Sequence, residues 1–326
     1  MFNWNVLERW IGINYPLWGP CGVFRIWRAV CACDVVHLHE CLYLGNVLAF
    51  FFAVLLRKPV VVTQHASVIP YSSALLRGLL GLANRLFGKL VLANASCCLF
   101  ISPKAMSYFM RIVRFRSSPK YVPNGVDTSI FRPLMTHHRE HVRAKLGCQP
   151  DRPMALFVGR FIELKRLDLM RELVSAFPSV HWMFLGSGPD DPKQWNLPNC
   201  QSVGSLPHAE IAQYYQAADL LVLPSEGEGF PLVVQESMAC GTPVLITHDT
   251  AKGAPGVENV AFTADATADS LREAVRTIMN DPERLAQQRH VVAEFAQTRW
   301  NWERCADRYL EIFQRLTLRV DHRSMG

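Results

Sequence analysis

Residues 219–244, DLLVLPSEGEGFPLVVQESMACGTPV, constrain the fold more than any other stretch of the chain. The apolar run at 220–223 is short and ends at Pro224, as a buried parallel strand does. Residues 225–230 contain Gly227, Gly229 and three polar side chains, which suit neither a strand nor a helix interior. The fixed φ of Pro231 fits a first helical position. The helix then runs to about Cys240 and stops at Gly241, with Pro243 beyond. A strand, loop, helix and strand in that order predict a parallel α/β sheet.

The same stretch suggests chemistry. A helix N-terminus offers unpaired N–H groups and a partial positive charge, which suit phosphate. Glu228 lies just before the helix and Glu236 inside it, and helical side chains tilt toward the N-terminus. Two carboxylates can therefore reach a pocket beside the anion site, where they accept hydrogen bonds from hydroxyl groups. The alternative is a pair of solvated acids that stabilise the helix start. The first reading implies a ligand with both phosphate and sugar hydroxyls.

The spacing Glu228-x7-Glu236 within EGFPLVVQESMACGTPV resembles the donor-site signature of the retaining glycosyltransferases of family 4. That resemblance implies the GT-B fold, two Rossmann-like parallel-sheet α/β domains facing a cleft. It also implies that Glu228 meets the donor sugar and that Glu236 holds the ribose of the nucleotide. Gly229, Phe230, Pro231 and Leu232 then carry the helix start to the donor.

Other segments fit the same family. Residues 123–133 match its PNGVDxxxFxP pattern in full; Asp127 is suited to cap that turn and Phe131 to anchor it. In GRFIELKR, Arg160 and Lys165 fit the family's GRxxxxKG, where two fixed cations meet a diphosphate. Arg166 stands where glycine is usual. Gly186 and Gly188 end the strand at 181–185 and allow backbone approach to a ligand. Thr63-Gln64-His65 reproduces a strand-end T-x-H that the family sets near the donor sugar. His37 and His39 share a face of the preceding strand, and the residues alone give them no role.

The resemblance implies that a nucleotide sugar is the substrate and that no metal or other cofactor takes part. It gives residues 1–133 to an N-terminal acceptor domain, 134–152 to a helical linker and 153–299 to the donor-binding domain. Residues 300–326 become a terminal helix that crosses back. The family's opening Gly-Gly loop is missing, because the strand at Asp34 arrives almost at once. The N-terminal domain is therefore expected to be incomplete. An inactive nucleotide-sugar-binding remnant and a sugar-nucleotide epimerase of related fold are the alternative functions.

Charge divides the chain. Residues 1–150 carry 17 Lys/Arg against 5 Asp/Glu, and residues 151–326 carry 17 against 23. A basic, apolar first half suits an anionic membrane surface and a glycan or lipid-linked acceptor. Residues 75–93, with Arg77, Arg85 and Lys89 among leucines, read as a basic amphipathic helix, or equally as a packed helix with snorkelling cations. No zinc finger or RNP motif points to nucleic acid. The apolar run at 42–56 is shorter than the ~20 residues that span a bilayer and reads as a buried helix. Ten cysteines without metal spacing or a secretory signal suggest reduced thiols in the cytoplasm, with a peripheral place at the inner face of the membrane.

Overall fold

The computed structural model describes residues 19–65 and 74–324. Trp4, Trp10 and Trp18 lie outside them. The chain divides into two compact units, Met1–Pro123 with Ala306–Gly326, and Asn124–Cys305.

In the first unit, α1 (Pro20–Ala32) leads to β1 (Val36–His39), α2 (Leu44–Leu55) and β2 (Val60–Gln64). Next come α3 (Ala74–Ala83), a π turn at Asn84–Gly88, α4 (Lys89–Asn94), β3 (Cys97–Phe100), α5 (Pro103–Met110) and β4 (Lys120–Tyr121). The four strands pair in parallel in the order β1-β2-β3-β4. Every residue of β2 and β3 is buried, which is why VVVTQ and CCLF show no polar alternation.

One helix expectation needs correction. α2 is not buried all round: Gly45, Ala49, Phe50 and Ala53 face the core, while Phe51, Val54 and Leu55 are exposed. The helix expected at 75–93 is present and includes a π turn at Asn84–Gly88, where Asn84 and Gly88 are buried.

The second unit is a six-stranded parallel sheet in the order β10-β9-β8-β5-β6-β7. Its strands are β5 (Met154–Val158), β6 (His181–Leu185), β7 (Cys200–Gly204), β8 (Leu220–Leu223), β9 (Val244–Thr247) and β10 (Phe262–Ala264). Its helices include α6 (Thr136–Lys145), α7 (Leu167–Ala176), α8 (His208–Ala217), α9 (Leu232–Ala239), α10 (His248–Ala251), α11 (Ala268–Met279) and α12 (Pro282–Arg299). β5 and β8 are wholly buried at the centre. α11 buries Leu271, Val275 and Ile278, the stripe an amphipathic helix turns to a sheet, and the Thr267 side chain caps its N-terminus.

The segment expected as a linker belongs to this unit. α6 sends Arg139 and Arg143 to Asp219 at the start of β8, with N···O distances of 2.5 and 2.9 Å. α13 (Trp302–Ser324) ends the described chain, and from Ala306 onward its residues belong to the first unit. No helix among the described residues is long and apolar enough to cross a membrane. All ten cysteines are free thiols.

Candidate functional site

The strand order creates the site. From β5 the chain winds outward through β6 and β7, then crosses to the other flank of β5 for β8, β9 and β10. The loops that leave β5 and β8 therefore head in opposite directions and open a crevice at the carboxyl ends of the strands, where such sheets bind ligands.

Both loops bring charge there. The loop after β5 passes Gly159 and Arg160 to a 3-10 turn at Glu163–Lys165. The loop after β8 carries Glu226 and Glu228. Lys165 Nζ donates to Glu228 Oε1 across the crevice, and Arg166 Nη1 meets Glu226 Oε2 at 2.8 Å. Arg166 has φ 51°, a left-handed backbone that glycine adopts without cost. Its ion pairs with Asp168 and Glu226 offset the cost for an arginine. The Arg160 side chain is exposed and pairs with nothing among the described residues.

Close backbone approach shapes the floor. A Cβ on Gly186 would lie 1.9 Å from Gly159 O, so only glycine lets the ends of β5 and β6 close together. A Cβ on Gly253 would lie 2.0 Å from Gly229 O, which fixes the acidic loop from the other side. Thr247 and Thr250 each donate to Ser225 O at 3.1 Å and hold the start of that loop.

Pro231 is the N-cap of α9, not its first helical residue as the sequence suggested. Its ring fixes φ at −68°, but ψ is extended at 133°, and its carbonyl accepts from Val234 N. The Phe230 ring turns inward against Trp300, with centroids 5.2 Å apart, and anchors the loop. Leu232 is exposed at the start of α9. Glu236, one turn on, is buried and accepts from Tyr215 Oη at 2.9 Å and His208 Nε2 at 2.8 Å. The expected turn is present too: Asp127 Oδ1 accepts from Ser129 N at 3.0 Å, and Phe131 is fully buried.

The first unit has its own cluster at the carboxyl ends of β1 and β2. His39 Nδ1 and His65 Nε2 lie 2.9 Å apart, and His37 Nε2 bonds Thr63 Oγ1 at 2.8 Å. Tyr309 Oη is 3.3 Å from the same Thr63 oxygen. Burial, then the neighbouring His39 and His65, push His37 down to about 4. Burial also lowers His39 and His65. The rings are therefore neutral hydrogen-bonding groups near neutral pH, and no set of three or more His, Cys, Asp or Glu among the described residues is arranged to hold a metal.

A crevice at the switch point of one parallel sheet, with a second parallel α/β unit in the same chain, is the arrangement of the GT-B class. The description "Glycosyl transferases group 1" matches residues 138–298, and "Glycosyltransferase Family 4" matches residues 6–130. The chain belongs to glycosyltransferase family 4.

Among its relatives, D-inositol 3-phosphate glycosyltransferase 1 of Catenulispora acidiphila is 33% identical over 216 residues, 58% of this chain and 50% of that protein. A putative teichuronic acid biosynthesis glycosyltransferase of Bacillus subtilis is 29% identical over 66% of this chain and 53% of its own length. The chain spans about half the length of the curated relatives it matches. Sucrose-phosphate synthase from Thermosynechococcus elongatus shares the fold with TM-score 0.74 at 24% identity, covering 90% of this chain and 76% of that one. Anabaena HepE in complex with UDP also superposes with TM-score 0.74, at 18% identity over 90% of this chain and 81% of that one.

Sequence reasoning missed Tyr215 and His208 as partners of Glu236. The available signal was a buried acid in a helix interior, which must find donors. It did not say where in the chain they would be.

Proposed function

We propose that the chain transfers a sugar from a nucleotide-sugar donor to a hydroxyl acceptor, with retention at the anomeric carbon and without a metal. The observation that supports this most is the Lys165–Glu228 contact across the β5–β8 crevice, since it pairs a phosphate ligand's cation with a sugar ligand's acid. When donor binds, its diphosphate takes over Lys165, and Arg160 provides a second cation. Glu228 is then free to accept from the sugar hydroxyls. The bond from the anomeric carbon to the phosphate oxygen breaks and its electron pair leaves with the nucleoside diphosphate. The acceptor oxygen bonds the same carbon, and its proton passes to the departing phosphate. Fixed cations stabilise that developing charge best where water is excluded. His65 serves as a neutral partner for a sugar hydroxyl.

The test separates the two acids. Glu236→Ala and Arg160→Ala should each weaken nucleoside-diphosphate binding about tenfold, the worth of one charged hydrogen bond. Glu228→Ala should reduce transfer far more than it reduces nucleotide affinity. Unchanged affinity in both of the first variants removes the donor-site assignment. Donor turnover without acceptor would indicate the epimerase instead.

The acceptor is proposed to be a glycan or lipid-linked molecule at an anionic membrane. Leu75, Leu79, Leu82, Leu86 and Leu90 are all exposed at helical spacing, beside Arg85 and Lys89. The protein should sediment with phosphatidylserine-containing vesicles and not with neutral ones. Leu79→Asp with Leu86→Asp should reduce that binding at least about tenfold, as two leucines leave the interface. Equal sedimentation with neutral vesicles, or none with either kind, removes the membrane from the reading.

A further inference from the structure

Glu236 sits in mid-helix, 6% exposed, and its two oxygens are held by unlike partners. Oε2 accepts from the phenol of Tyr215, which is fully buried on α8. Oε1 meets Nε2 of His208, the first residue of α8, whose side chain is 61% exposed. A carboxylate can only accept, so that ring nitrogen carries the proton. Phe131 backs both rings, with centroids 4.8 Å from His208 and 5.9 Å from Tyr215. Burial, then the charge of Glu236, push the Tyr215 phenol well above its ordinary value, so it remains a donor.

This asymmetry has a chemical meaning. The buried bond is permanent, because water cannot replace Tyr215. The exposed bond is replaceable, because His208 can swing into solvent without leaving a buried group unpaired. An ionised carboxylate accepts at about four positions on its two oxygens. With Tyr215 on one and His208 displaced, the positions left free suit two adjacent hydroxyls.

We propose that Tyr215 is the positioning residue of the nucleotide pocket, locking Glu236 so that it accepts both ribose hydroxyls, and that His208 holds their place in the empty protein. This rests on the reading that Glu236 receives the ribose. Phe131, within the PNGVDTSIFRP turn, gives that segment a share in nucleotide recognition by bracing both rings.

Calorimetry with UDP, GDP and ADP, followed by the 2′,3′-dideoxy form of the tightest binder, tests the assignment. The wild type should prefer the parent nucleotide about thirtyfold, a typical worth of hydrogen bonds to a charged group. Tyr215→Phe should shrink that preference to about threefold while leaving the dideoxy affinity unchanged, since only the orienting bond is lost. His208→Ala should bind the parent about threefold tighter and the dideoxy form unchanged, widening the preference to about ninetyfold, because no hydrogen bond to the carboxylate has to be displaced.

A Tyr215→Phe protein that weakens both nucleotides alike has lost only packing, and the positioning role is overturned. Should that variant fail to fold, His208→Ala still decides: unchanged or weaker parent binding overturns the placeholder and the proposal with it. A wild type with no preference, or with no affinity for any of the three nucleotides, overturns the ribose reading itself. A preference that Glu236→Ala abolishes but Tyr215→Phe retains overturns this proposal alone.

Discussion

Asp219→Ala should destabilise the second unit by about 3–5 kcal/mol, because it leaves the buried Arg143 and the half-buried Arg139 without the carboxylate they share. Asp219 accepts from Arg139 at 2.5 Å, Arg143 at 2.9 Å and Met154 N at 2.8 Å. Arg289 adds a third guanidinium, donating to Ala218 O at 2.8 Å and Gln216 O at 3.1 Å at the end of α8. Burial, then the charge of Arg139, lower Arg289 to about 10, against the opposing charge of Asp219. Burial alone would raise the Asp219 carboxyl, but Arg139 and Arg143 hold it below its ordinary 3.8. Its contribution is therefore full above that value and is lost as the pH falls through the lower, folded one. Denaturant unfolding at neutral pH measures the cost, and a midpoint drop of about 10 °C is the thermal counterpart. A cost below about 1 kcal/mol would mean that solvent already screens the cluster.

Lys165→Ala should weaken nucleoside-diphosphate binding by about 10- to 100-fold, the usual worth of a charged hydrogen bond. Two effects add. The phosphate loses its cation, and Glu228 is left unpaired beside the incoming anion. The reverse change is not symmetrical. Glu228→Ala releases Lys165, so affinity for the nucleotide alone should hold or rise even as transfer falls. Titration of both variants with UDP, GDP and ADP checks the asymmetry. Equal losses in the two would show that the contact supports the loops and does not serve the ligand.

Much of the second unit was legible because its signals are local. LLVL ending at Pro224, the glycines of the acidic loop and the Gly241 stop each follow from backbone chemistry within a few residues. The β5 loop cations and the β8 loop acids were legible too, but only as separate motifs. Their meeting depends on strand order, which places β8 beside β5 although β6 and β7 intervene in sequence. Asp219 could be seen as an acid in an apolar run that needs a cation. That the cations would come from α6 and α12 is a tertiary fact with no local trace. The opposite error occurred at Pro231, where a residue preference was read as a helical position although only φ, and not ψ, is fixed by the ring.

The crossing from β7 back to β8 also sets an order of assembly. As the chain is made, β5, β6 and β7 can pair as they emerge, while the far edge of β5 must wait for residues 220–223. Nascent protein of intermediate length thus exposes a flat, apolar strand margin on which other chains can dock. The crevice between the β5 and β8 loops forms only when that margin is covered, before β9, β10, α11 and α12 complete the unit.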